Sequence, residues 1–216
     1  MREFFRTLLG KKSSEFFDVI KGRKSVKYFD PNSKIKREEI LEILNEANTA
    51  PSSCNLQPWR YIVVDTQEGK EKLGSANFNK IQNDTSAAMI IVLGDLNYYS
   101  KFDEIYGEAV EKGYMTKEVK DDFEEGMGPQ LESLPLDKNR EGVYFDCGLW
   151  TMQFANIARA KGYDTNIIGG FIREQVAELF ELEENLIPVM LIALGKKEKD
   201  GRPTVRLRAE KLVRFE

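Results

Sequence analysis

Apolar positions recur along this chain at two different periods. Ile40, Leu41, Ile43, Leu44 and Ala47 follow helical spacing, which predicts an amphipathic helix over 35–50. Phe16, Val19 and Ile20 give a shorter helical face, with Ser13 as its cap and Gly22 as its stop. Residues 61–64, 87–93 and 187–195 are unbroken apolar runs, the pattern of buried strands. The last carries Pro188 near its start, where a strand tolerates it. Residues 68–76 read as a short helix or loop. Residues 173–182 read as a short helix with Val176, Leu179 and Phe180 inward.

Residues 97–141 form an acidic, mainly helical excursion. Tyr98, Tyr99, Phe102, Ile105, Tyr106 and Val110 line one helical face. Thr116 can cap a second helix that carries Val119 and Phe123, and Gly126, Gly128, Pro129, Leu134 and Pro135 are expected to break it. The longest helix is expected at 143–161. Val143, Cys147, Trp150, Phe154, Ile157 and Ala158 hold one face, while Leu149, Met152 and Ala155 make other sides apolar. A helix apolar over most of its girth is buried, in a core or against a partner.

Composition narrows the chemistry. The chain has 216 residues, enough for one domain with a sizeable core. A net charge of -4 argues against general nucleic-acid binding. No apolar run reaches membrane-spanning length, and residues 1–10 lack the apolar core of a secretory signal, so a cytoplasmic location is expected. There is no histidine, and the two cysteines, Cys54 and Cys147, have no metal-binding spacing. Neither imidazole-based catalysis nor a metal centre is expected, which points to chemistry carried by a bound cofactor.

Three polar clusters are candidates for holding one. Pro51-Ser52-Ser53-Cys54-Asn55-Leu56-Gln57-Pro58-Trp59 lies between a helix and a strand. It reads either as a helix stop and turn or as a rigid segment whose hydroxyls and amides meet a flat polar heterocycle. Arg23, Lys24, Ser25 and Lys27 concentrate positive charge, as a solvated turn or a phosphate site. Arg206 and Arg208 alternate with Val205 and Leu207, so on an extended segment both would point the same way, toward solvent or a phosphate.

Taken together with Gly169-Gly170-Phe171, these clusters resemble the FMN-dependent nitroreductase family, in the family's order over roughly residues 14–216. The resemblance implies an α+β fold: a three-layer sandwich with a mixed, largely antiparallel sheet between helices, as an intertwined homodimer. It implies a single FMN-binding domain over 1–216, with the 97–141 excursion covering the active site. Arg23, Lys24, Ser25, Lys27, Arg206 and Arg208 would hold the phosphate and ribityl chain. Pro51, Ser52, Ser53 and Asn55 would face the flavin of the other subunit. Asn79 would meet the pyrimidine side, and Ile168, Gly169 and Gly170 would lie beside N5 and O4. Gln82 stands where many relatives carry a lysine near N1 and O2, with Lys80 as a substitute cation. Trp59 is expected to be a structural anchor.

The implied activity is ping-pong hydride transfer from NADH or NADPH through FMN to nitroaromatics, quinones or related acceptors. Alternatives are a narrow-specificity flavin reductase or dehydrogenase, acting for example on a halogenated aromatic or an enone, and a non-catalytic flavin-binding protein.

Overall fold

The computed structural model describes residues 15–216; the proposed cap Ser13 lies outside them. The chain begins with α1 (residues 15–22), α2 (Arg37–Ala47), β1 (Trp59–Val64), α3 (Gln67–Gly74), α4 (Lys80–Thr85) and β2 (Ala88–Asp95). It continues with α5 (Phe102–Glu111), α6 (Lys117–Glu132), α7 (Leu136–Ala160), β3 (Asp164–Ile168), α8 (Arg173–Leu179) and β4 (Leu186–Gly195).

The four strands pair antiparallel in the order β1-β2-β4-β3. A single parallel bridge, Ser25 to Thr165, joins the basic segment to β3. Alternation along β2 sorts its side chains between two cores. Ala88, Ile90 and Val92 pack with α2, α5 and α7, whereas Met89, Ile91 and Leu93 pack with Leu73 of α3 and Val176 of α8. Helices therefore cover both faces, which is why β2 reads as continuous apolar sequence. This is the three-layer α+β arrangement.

β4 is central as well. Its register shifts where Val92 faces Met190 and Leu93 faces Pro188, leaving Val189 as an extra residue. β3 reaches only to Leu191, so the N–H missing at Pro188 breaks no bond on that side.

Two helices depart from the expected boundaries. α6 runs through Gly126, Gly128 and Pro129 to Glu132, so these residues do not end it. Thr116 caps it, accepting from the Val119 N–H at 3.3 Å. Gly128 is there for space: a β-carbon would lie 2.4 Å from the Tyr99 hydroxyl. α7 starts at Leu136, seven residues before the expected 143, because Pro135 precedes a helix well and only 133–135 separate it from α6. The helix expected over 35–50 is trimmed to Arg37–Ala47, since Asn48 and Thr49 turn out of it.

The two tryptophans share one acceptor. Trp59 and Trp150 each donate an indole N–H to Asn48 Oδ1, at 3.1 and 2.9 Å. Asn48 Nδ2 donates to the Tyr61 hydroxyl at 3.1 Å. Trp59 is thus an anchor at the junction of α2, β1 and α7. Among the described residues, no helix is long and apolar enough to cross a membrane.

Candidate functional site

The basic segment is pinned by its backbone, which leaves its side chains free. The Val26 N–H donates to Thr165 O at 3.1 Å, and Asn166 Nδ2 donates to Val26 O at 2.8 Å. Val26 is buried in the second core, while Lys24, Ser25 and Lys27 remain exposed. Gly201 closes against this segment: a β-carbon there would meet Lys24 Cβ at 2.8 Å and Ser25 O at 2.9 Å. That contact brings the 201–206 stretch alongside residues 23–27.

A cavity of about 580 Å³ results. Arg23, Lys24, Ser25, Lys27, Asn79, Gln82 and Arg206 all line it, together with Phe78, Lys80, Ile81, Asp200, Arg202 and Thr204. Six cations therefore face one carboxylate, and that carboxylate, Asp200, is bonded to Lys197. Such a field suits a phosphate or another dianion.

The amide side of the cavity joins the glycine pair. Asn79 Nδ2 donates to Gly170 O at 3.3 Å, and Gln82 Nε2 donates to Asn79 Oδ1 at 3.4 Å. Gln82 is buried on α4. Lys80, also in the cavity lining, has its side chain 87% exposed and 3.7 Å from Asp84. A β-carbon on Gly169 or Gly170 would meet nothing within 4 Å. Packing within the chain does not require these glycines, and the space before them is open to a flat ligand. Ile168 turns its side chain into the second core, leaving only its backbone for a ligand.

The structure separates the remaining candidates from this cavity. Arg208 does not line it; both its guanidinium bonds, at 3.3 Å, go to Glu210. The expected shared direction of Arg206 and Arg208 fails because 202–208 joins no strand ladder, and the turn Ala209–Lys211 brings Glu210 within reach. Pro51, Ser52, Ser53 and Asn55 also lie outside the cavity lining. Their segment bends through a short turn at Ser53–Asn55. The Gln57 N–H donates to Ser52 Oγ at 3.0 Å, and the Tyr106 hydroxyl donates to Cys54 O at 2.9 Å.

One residue that pattern reading missed holds this segment. Asp146, on α7, accepts from the Ser53 N–H at 3.0 Å and from the Ser53 hydroxyl at 3.2 Å. The signal was a carboxylate set within the apolar stripe of Val143, Cys147 and Trp150. Burial holds its pKa above the usual carboxylate range, against the two Ser53 bonds, which lower it. Burial, and then the nearby Asp146, raises the Cys54 thiol, which argues against a nucleophilic thiolate. Burial pushes Cys147 up to about 12, as befits an inert core residue. No group of potential metal ligands occurs among the described residues.

Residues of the 97–141 excursion are absent from the cavity lining. Its aromatics stack on one another instead: Phe102 lies 4.3 Å from Tyr106 and 5.8 Å from Phe123, between ring centroids.

The profile of the Nitroreductase family matches residues 20–196. The proposed NAD(P)H nitroreductase YdgI of Bacillus subtilis (strain 168) is 50% identical over 179 residues, 82% of this chain and 86% of that protein. A proposed nitroreductase of Exiguobacterium sibiricum 255-15, solved in complex with FMN, superposes with a TM-score of 0.90 at 42% identity, covering 93% of this chain and 97% of that one. The CLA biosynthesis enone reductase of Lactiplantibacillus plantarum is 35% identical over 188 residues, 86% of this chain and 87% of that protein. A match across most of the chain, in sequence and in fold alike, leaves one conclusion: the chain belongs to the nitroreductase family.

Proposed function

We propose that the protein is a cytoplasmic, FMN-dependent NAD(P)H oxidoreductase that works as a homodimer, with 1–216 as a single FMN-binding domain. The observation that carries this reading is the cavity in which six cations face one carboxylate beside an amide wall and an open glycine pair. Its donor set fits flavin mononucleotide. Arg23 and Arg206 would bind the phosphate as planar forks, with Lys24, Ser25 and Lys27 completing the phosphate and ribityl contacts. Asn79 and Gln82 would meet the pyrimidine edge. Gly169 and Gly170 would leave room for the ring, and Ile168 would contribute its backbone. The FMN complex of the Exiguobacterium relative supports the choice of cofactor.

Bound FMN supplies hydride acceptance and donation at N5. The chain's own part is to hold and orient the ring and restrict access; no side chain is assigned acid or base work. NADH or NADPH and the acceptor use one cleft in turn, and nitroaromatics and quinones are the acceptor classes proposed.

Pro51, Ser52, Ser53 and Asn55 serve the site of the partner subunit in this reading, and the 97–141 excursion covers that site. The support is apolar surface left without cover: Phe145 and Met152 on α7, and Val205, Leu207, Leu212, Val213 and Phe215 in the tail. Docking of the tail on the partner would also release Arg208 from Glu210 for the phosphate.

A narrower reading, reduction of an enone, is favoured by the identity to the CLA biosynthesis enone reductase. One experiment tests both. The purified protein should be yellow and release one FMN per chain. After anaerobic reduction by NADH or NADPH, it is mixed with a nitroaromatic, a quinone and an enone. Fast reoxidation by the first two supports the oxidoreductase reading, and fast reoxidation by the enone alone supports the second. A colourless protein that takes up no FMN overturns both.

A further inference from the structure

Three residues between 51 and 57 hold left-handed backbone: Cys54 at φ 52°, Asn55 at φ 53° and Gln57 at φ 47°. None is glycine, so each carries the steric cost of a β-carbon in that region. Such strain persists only where the surroundings over-determine the conformation. The Tyr106 hydroxyl holds Cys54 O and Ser52 Oγ holds the Gln57 N–H, and at the head of the run Asp146 reaches from α7 across 93 positions of sequence to hold both donors of Ser53.

Stability alone does not explain a carboxylate there. Asp146 is 3% exposed and forms no ion pair among the described residues. The titratable groups around it are Cys54, Tyr98 and Cys147, none of them cationic. Arg60, the cation acting on Cys147, is bonded to Asp95 at 2.8 Å. A buried charge without a counter-ion is costly, and the helix neighbours Val143, Cys147 and Trp150 show that the position could be apolar.

We infer that Asp146 is a positioning residue of the flavin site: its carboxylate clamps Ser53, fixes the left-handed run, and so sets the direction in which Ser52 and Asn55 are presented. The inference rests on the reading that residues 51–55 contact FMN across the homodimer. Asp146 itself touches no cofactor.

The chemistry of the clamp gives a selective test. Asparagine can replace aspartate without loss of bonding: its Oδ1 accepts the Ser53 N–H, and its Nδ2 donates to Ser53 Oγ, because a hydroxyl can reverse from donor to acceptor. Once the hydroxyl is gone, that amide has no partner. FMN affinity is therefore measured by flavin-fluorescence titration for wild type, D146N, S53A, D146N/S53A and D146A. Amide exchange of residues 51–57 is followed in the same proteins without flavin.

D146N alone should weaken FMN by less than about threefold, because both bonds survive. In the S53A background the same change should cost about tenfold, because a buried amide is left unpaired. The Ser53 amide should exchange slowly in wild type and D146N and fast in D146A. Equal effects of D146N with and without the Ser53 hydroxyl would overturn the inference, as would unchanged Ser53 exchange in D146A. Should D146A not fold, the D146N/S53A comparison decides. Wild type that binds no FMN would overturn the functional reading, while fast exchange confined to D146A would still establish the clamp.

Discussion

Two surfaces proposed to hold the flavin are made in opposite ways. The cavity around Arg23, Asn79 and Arg206 is assembled from charge, on backbone tied down by ordinary hydrogen bonds to Thr165 and Asn166. The 51–57 segment carries no charge; it stores strain at three residues and is held from behind by Asp146. A phosphate is a strong, roughly spherical charge and tolerates a loose ring of long cations. A flat ring edge demands a fixed direction of approach, and strain held by the fold provides that. Under the proposed function, affinity and orientation are supplied by separate parts of the chain.

The largest effect that would test this contrast is removal of the tail. Deleting residues 205–216 takes away Arg206 from the cavity and the apolar positions proposed to dock on the partner. Both dimer and FMN should be lost, as read by sedimentation and by flavin absorbance. A truncated protein that stays dimeric and yellow would refute the proposed arrangement.

Next in size is the phosphate anchor. Arg23→Ala should weaken FMN by about tenfold to hundredfold, the range for a lost charged hydrogen bond. Riboflavin, which lacks the phosphate, should lose little. Equal losses for the two ligands in fluorescence titrations would show that the cavity does not read the phosphate.

The strained surface should respond to pH in a defined direction. Burial holds the Asp146 carboxyl above its ordinary pKa, so the folded state favours the protonated form. The ionised group therefore costs stability, a cost that grows as pH rises from the unfolded value of about 3.9 through the folded one. D146N should melt higher than wild type at pH 7–8, and the gain should vanish below about pH 3.9. A gain independent of pH, measured by thermal unfolding of the apoprotein, would mean that charge is not the cause.

The smallest expected effect concerns Gln82, which is buried at the cavity's amide wall and carries no charge. Gln82→Lys should raise the flavin midpoint potential, because an ammonium favours the more negative reduced form. An anaerobic redox titration with FMN fully bound checks the sign; an unchanged or lowered value would remove Gln82 from the flavin's surroundings.

What was legible in the sequence follows from which forces act locally. β2 and β4 announce themselves because burial on both faces demands unbroken apolar runs. α4 does not, since Ile81 is its one apolar side chain and is itself exposed. β3 is equally silent: Asp164, Thr165 and Asn166 are buried polar residues, the first paired with Arg159 and the other two bonded to Val26, far away in sequence. Pro129 and two glycines suggested a break in α6 because local propensity cannot see Tyr99 packed against Gly128. In the site, the basic segment, Asn79, Gln82 and Arg206 were picked out and the fold brings them together. Arg208 lies outside the cavity lining, bonded to Glu210 two residues away. Asp146 was missed because a carboxylate inside an apolar stripe has no meaning until the chain returns to it.

The shared oxygen of Asn48 has an evolutionary consequence. One atom satisfies the indoles of both Trp59 and Trp150, so a single substitution at Asn48 orphans two buried donors at once. Neither tryptophan can compensate alone. The three positions therefore have to drift as an epistatic set, or not at all, and the strained 51–57 segment begins three residues beyond Asn48.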